Sequence, residues 1–189
     1  FLVEVKATKE TVFYIREKTK KQLHDLYEKS SKHNIMAVLA VKFKQRGWNL
    51  FPVHENMNVN SSESHTLLTS LNLDIILSCF WSQIFKEPIL NIPKLGVYNF
   101  HTAYLPFNRG SRPIPWALIR GEEKCGITVH RMMTGVDNGP IVAQRGINIK
   151  TEDTGESLYK KVLQQGAELA KEVIEAFAKN EFKLTLQDE

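Results

Sequence analysis

Two periodicities run through the chain. Phe1–Ala7 alternates and is rich in β-formers, Thr11–Ile15 is a second short β-prone run, and Ile35–Phe43 is apolar. Asn49–His54 is a further short strand, with Gly47 turning before it. Between them, residues 16–31 are polar with Leu23, Leu26 and Tyr27 at helical spacing, which predicts a surface helix. Asn60 and Glu63 have the spacing of a capping box, opening a helix that carries Leu67, Leu68 and Leu71. Asp74–Phe80 and Gly96–His101 are continuous apolar runs of the buried-strand kind, Arg112–Arg120 is a short helix stopped by Gly121, and Gly126–Met132 and Pro140–Ile149 are strand-like. Asp153 and Glu156 form another capping box, after which Leu158, Val162, Leu163, Ala170, Val173, Ile174 and Phe177 mark one apolar stripe. Strands alternating with helices predict an α/β fold, a largely parallel sheet flanked by helices.

Composition changes this picture little. In 189 residues, 42% hydrophobic and 24% charged is ordinary globular usage, which excludes a fibrous or disordered chain. No stretch approaches a membrane span, and the opening Phe-Leu-Val-Glu-Val-Lys is charged too early for a signal peptide. Cys79 and Cys125 make neither a disulfide framework nor a metal-ligand spacing, so a reducing cytoplasm, no membrane partner and no metal are expected. Charge adds one asymmetry: residues 1–56 carry 11 Lys and Arg against 6 Asp and Glu. Lys18, Lys20 and Lys21 read as a solvated helix face, with a nucleic-acid or nucleotide partner as the alternative.

Chemistry concentrates in residues 96–141. Asn99 and His101 are two apart at the end of a predicted buried strand, so their side chains project to one side. In a parallel α/β sheet, ligands bind at the carboxyl ends of the strands. An amide donor beside an imidazole suits a reaction in which charge develops on a carbonyl oxygen: Asn99 would hydrogen-bond the oxyanion, and His101 would stabilise it or move a proton. Asp137 sits in a glycine-flanked loop that could bring a carboxylate to that imidazole. Each residue alone also fits a plain structural role; the ordered set favours chemistry.

These residues, with Leu105-Pro106, Arg109-Gly110, Gly126 with Thr128, and Asp137 with Gly139, make the region from about 57 to 180 resemble the folate-dependent formyltransferases, in particular the members acting on amino sugars. The resemblance implies a Rossmann-like fold, 10-formyltetrahydrofolate as formyl donor, and Asn99, His101 and Asp137 as catalytic residues. It further implies donor contacts from Trp81, Gln83, Ile84, Gly135 and Val136, and acceptor contacts from Arg109, Gly110 and Thr128. Ser82 stands where the family usually has glycine in the donor-contacting segment. The implied acceptor is a small-molecule amine, an amino sugar on a nucleotide first and glycinamide ribonucleotide second. Monomer and oligomer are both open.

Residues 1–54 resemble part of another family, the archaeal Holliday-junction resolvases of the PD-(D/E)-x-K nuclease class, through Glu4, Lys6, Phe13-Tyr-Ile, a basic helix, Leu39-Ala-Val-Lys42-Phe and Trp48. In that class a carboxylate such as Glu4 holds Mg²⁺ and a lysine such as Lys6 polarises the attacking water. The upstream Asp that shares the metal would precede Phe1, so the nuclease site is incomplete. The expected organisation is therefore a basic segment over 1–56, within the same sheet or apart from it, and a formyltransferase domain over 57–189. The alternative functions are a junction-binding module or Mg²⁺-dependent nuclease, and an inactive fusion that keeps only the motif.

Overall fold

In a computed structural model, residues 13–15, 37–44, 47–53, 58–79 and 83–188 are described, those before residue 54 as backbone only. The chain divides into two compact units, Phe1–Tyr98 and Asn99–Glu189. Glu4, Lys6 and the basic helix predicted over 16–31 lie outside the described residues, as does Trp81.

In the first unit, strands β1 (Phe13–Ile15), β2 (Ala37–Lys44), β3 (Gly47–Val53) and β4 (Ile75–Cys79) lie in the order β1-β3-β2-β4. All three ladders are antiparallel, with Tyr14 opposite Asn49, Val41 opposite Leu50, and Leu39 opposite Leu77. The α/β class holds, but parallel pairing does not extend to these strands. Residues 45 and 46 alone separate β2 from β3, far too few for the crossover that parallel neighbours need. The β2–β4 ladder joins residues before 56 to residues after it within this unit.

Helix α1 (Ser62–Ser70) starts one residue later than the capping box predicts. Ser61, not Asn60, is the N-cap, accepting from the Ser64 N–H, while Asn60 donates to the Ile84 carbonyl and accepts from the Lys86 N–H. A single turn, α2 (Glu87–Leu90), follows with Pro in its first turn. Leu68, Ile75, Ile76, Leu77, Phe85 and Ile89 make the core here, each essentially unexposed.

Strand β5 (Val97–His101) carries the chain into the second unit, which continues with α3 (Pro113–Ile119), β6 (Lys124–Arg131), β7 (Ile141–Asn148) and α4 (Gly155–Lys179). β6 lies between β5 and β7 and pairs with β7 antiparallel, Thr128 opposite Gln144. Gly121, in the left-handed region at φ 64°, ends the α3 turn where the sequence predicts a stop. The capping box of α4 is Thr154 with Ser157 rather than Asp153 with Glu156, because Asp153 already accepts from the Lys150 N–H and Lys161. Leu158, Val162, Leu169, Val173, Ile174 and Phe177 form the buried stripe of α4, which packs on β6, β7 and α3. At about 1.5–3 kcal/mol for each fully buried aliphatic or aromatic side chain, this face anchors the unit. Ion pairs from Arg145 of β7 to Glu168 and Glu172 fasten the helix at its surface.

Candidate active site

Four residues of the second unit converge on the carboxylate of Asp137. Asn99 and His101, two apart on β5, do project together. Asn99 Nδ2 donates to Asp137 Oδ1 at 3.4 Å, and His101 Nδ1 lies 3.5 Å from Asp137 Oδ2. Gly110 N–H donates to Asp137 Oδ2 at 2.9 Å, and His130 Nε2 approaches Asp137 Oδ1 at 3.2 Å. The Asn108 carbonyl lies 2.8 Å from His101 Nε2. A carbonyl oxygen only accepts, so this contact places a proton on Nε2 and leaves Nδ1 as the atom that can take one up.

The local chain explains why Asp137 sits there. Its own φ of 48° is left-handed, a conformation tolerated by Asp better than by branched residues, and it turns the side chain inward from the loop between β6 and β7. Gly139 allows the return, since a Cβ there would overlap the Arg131 carbonyl. Gly110, with φ 89°, aims its N–H at the carboxylate.

Electrostatics follow from this crowding. Burial opposes the charged form of Asp137, yet the His130 hydrogen bond, the neighbouring His101 and the Gly110 N–H together hold its carboxyl down at about 2. For His101, burial is the largest influence and lowers its pKa, partly offset by Asp137 and the Asn108 carbonyl and reinforced by His130. Near neutrality the site therefore combines an ionised carboxylate with an imidazole biased towards its neutral form.

A stability consequence comes with its sign. A carboxyl whose pKa drops from 3.8 to about 2 on folding adds stability above pH 4, and loses it as pH falls towards 2. Asp153, held down at about 2 first by its hydrogen bond to Lys161, acts in the same direction. Melting temperature should fall between pH 4 and 2, and Asp137→Asn should flatten that fall; thermal unfolding across the range measures it.

The other predicted residues divide. Gly135 and Val136 lie in the Asp137 loop, with Val136 56% exposed. Gly110 is present but grips Asp137. Arg109 is exposed and donates through Nε and Nη2 to Gln187 Oε1. Thr128, expected to meet the acceptor, is fully buried: its hydroxyl donates to the Ala103 carbonyl and accepts from the Leu105 N–H and from Gln144 Nε2. With one donor and two acceptor positions all used inside the protein, it fastens the 103–105 loop instead. Gln83 and Ile84, in the first unit, engage Val59 and Asn60: Gln83 Oε1 accepts from the Val59 N–H and the Ile84 carbonyl from Asn60.

His130 is the residue sequence reasoning missed. It stands two positions beyond Thr128 on β6 and is 2% exposed. Its signal was the same one that exposed Asn99 and His101, a two-residue spacing near a strand end. Among the described residues no group of three or more His, Cys, Asp or Glu is arranged to hold a metal ion.

This arrangement has relatives. The family described as formyl transferase matches residues 6–174, and the chain belongs to it. The match begins within the segment that resembles the resolvases and runs across residue 56. Over 129 residues, 68% of this chain, it is 40% identical to the bifunctional polymyxin resistance protein ArnA of Wigglesworthia glossinidia brevipalpis, covering 20% of that protein. Over 137 residues, 72% of this chain, it is 37% identical to the methionyl-tRNA formyltransferase of Kosmotoga olearia, covering 44% of it. The chain thus spans less than half the length of these curated relatives. Among solved structures, the formyltransferase PseJ from Anoxybacillus kamchatkensis, in complex with UDP-4,6-dideoxy-4-formamido-L-AltNAc and tetrahydrofolate, superposes with a TM-score of 0.61 at 25% identity, over 71% of this chain and 67% of that one.

Proposed function

We propose that the chain transfers a formyl group from 10-formyltetrahydrofolate to the amine of a sugar carried on a nucleotide. The observation that carries this reading is the convergence of Asn99, His101 and His130 on the ionised Asp137, inside a chain of the formyl transferase family. PseJ supports the donor and the acceptor class, since its crystal holds tetrahydrofolate with a formamido sugar nucleotide.

The chemistry follows from the side chains. The acceptor nitrogen attacks the formyl carbon, and the carbonyl electron pair moves to oxygen. Asn99 carries two N–H groups; one on Asp137 leaves the other to meet the oxyanion. His101 Nδ1 takes the proton shed by the amine, and the resulting imidazolium is held by Asp137 Oδ2 on that nitrogen and by the Asn108 carbonyl on the other, its positive charge offsetting the oxyanion. Collapse of the intermediate then expels tetrahydrofolate, whose nitrogen takes the proton back from His101. Asp137 stays ionised throughout and favours the charged imidazole. Val136 and Gly135 offer donor contacts beside it, and Arg109 is an acceptor contact.

A second reading, methionyl-tRNA as acceptor, is favoured by the Kosmotoga olearia relative. The test is formyl transfer from 10-formyltetrahydrofolate to three amines: a UDP- or dTDP-linked amino sugar, glycinamide ribonucleotide and methionyl-tRNA. Turnover should appear with the nucleotide sugar, and Asn99→Ala should lower kcat by about a hundredfold, the ordinary cost of one oxyanion donor. Turnover with methionyl-tRNA alone would hand the assignment to the second reading, and none with any amine would overturn formyl transfer by this chain.

A further inference from the structure

The segment after α4 turns back onto the site. Phe182 packs against Phe177 with ring centroids 4.4 Å apart, and Thr185 exchanges two backbone hydrogen bonds with Ile141, at 2.7 and 2.8 Å. Two residues further on, the half-buried Gln187 reaches into the Asp137 loop. Its Nε2 donates to the Asp137 carbonyl at 2.8 Å and to the Gly139 carbonyl at 2.7 Å. Its Oε1 accepts from Arg109 Nε at 3.0 Å and Nη2 at 2.8 Å.

We infer that Gln187 is a positioning residue for the transfer, holding Asp137 against the two histidines with one end of its amide and orienting Arg109 towards the acceptor with the other. The inference rests on the reading of Asn99, His101 and Asp137 as the transfer site. Three features carry it. Asp137 is a non-glycine residue in the left-handed region, a conformation that persists only where its surroundings hold it, and Gln187 grips the carbonyls of Asp137 and Gly139. Both amide N–H groups are used there, so the grip fixes the peptide planes that follow Asp137 and Gly139. Arg109, for its part, is bound by a neutral oxygen. That contact orients the guanidinium without cancelling its charge, leaving it suited to an anionic group on the acceptor.

Two substitutions separate the two ends. Gln187→Met keeps the length and removes every polar contact; kcat should fall about tenfold and acceptor KM rise about fivefold, the range for losing a few directed hydrogen bonds. Gln187→Lys retains N–H donors for the two carbonyls but repels Arg109, so kcat should return to within about threefold of the parent while KM stays raised. Combined with Asp137→Asn, the kcat effect of Gln187→Met should shrink to less than about twofold, since it acts through that carboxylate. Kinetics of the parent and the four variants, with thermal unfolding alongside, give the answer. A split between kcat and KM, with non-additivity at Asp137, supports the inference. Parent-like kinetics in both Gln187 variants, or equal losses of kcat in both that persist undiminished beside Asp137→Asn, overturn it. Full activity in Asp137→Asn itself would instead overturn the transfer reading on which it depends.

Discussion

Asp137→Asn should lower kcat for formyl transfer by about a thousandfold, within the range for removing a charged partner of a proton-transferring group, while the protein stays folded. The carboxylate is held at about 2 by the His130 hydrogen bond, the nearby His101 and the Gly110 N–H, against the opposing effect of burial. An amide of the same shape can still accept through its oxygen. It cannot carry the charge that, in the proposed transfer, stabilises the imidazolium formed when His101 takes up the amine proton, and its NH₂ group would face N–H donors. Single-turnover rates with saturating donor and acceptor isolate this step from binding. A variant within about tenfold of the parent would remove Asp137 from the chemistry.

His101→Ala should cost at least as much, about a thousandfold or more, because the proposed transfer would lose its proton acceptor and the positive charge that offsets the oxyanion together. The parent protein adds a pH signature. Activity should decline on the acid side as Nδ1 becomes protonated before substrate arrives, with an apparent pKa below the ordinary 6.5 because burial disfavours the charged ring. Asp137 opposes that depression and His130 reinforces it, with the Asn108 carbonyl on the remaining nitrogen. Removing the carboxylate should therefore move the acid limb further down, measurable on the residual activity of Asp137→Asn. An unchanged limb in that variant would argue that His101 is not the titrating group.

Legibility varied with the range of the interactions involved. The buried stripe of α4 could be read directly, since seven apolar positions at helical spacing have one physical solution, although Leu163 and Ala170 sit at its half-buried margin. Helix starts slipped by one residue because Asn60 and Asp153, good caps by type, are engaged elsewhere: Asn60 with Ile84 and Lys86, Asp153 with Lys150 and Lys161. The Asn99, His101 and Asp137 constellation was readable from the short spacing of its first two members and the turn chemistry around the third. His130 was hidden because residues 125–130 of β6 are all buried, so the Ile127-Thr128-Val129-His130 alternation, which reads as an ordinary half-exposed strand, does not set one face apart. Thr128 misled for the same reason: a hydroxyl inside a strand gives no hint that three internal partners already occupy it. Gln187 lies 50 residues from Asp137 in sequence, beyond any local pattern.

The loop after β5 meets the Asp137 cluster through main-chain atoms, the Asn108 carbonyl on His101 and the Gly110 amide on Asp137, while Phe107 and Ser111 are exposed. Backbone contacts survive exchange of the residues that supply them, provided the chain keeps its path. Under the proposed transfer, a library randomised at 107 and 111 should explore new amine partners while the contacts to His101 and Asp137 stay in place, which makes this stretch the natural starting point for redesigning the acceptor.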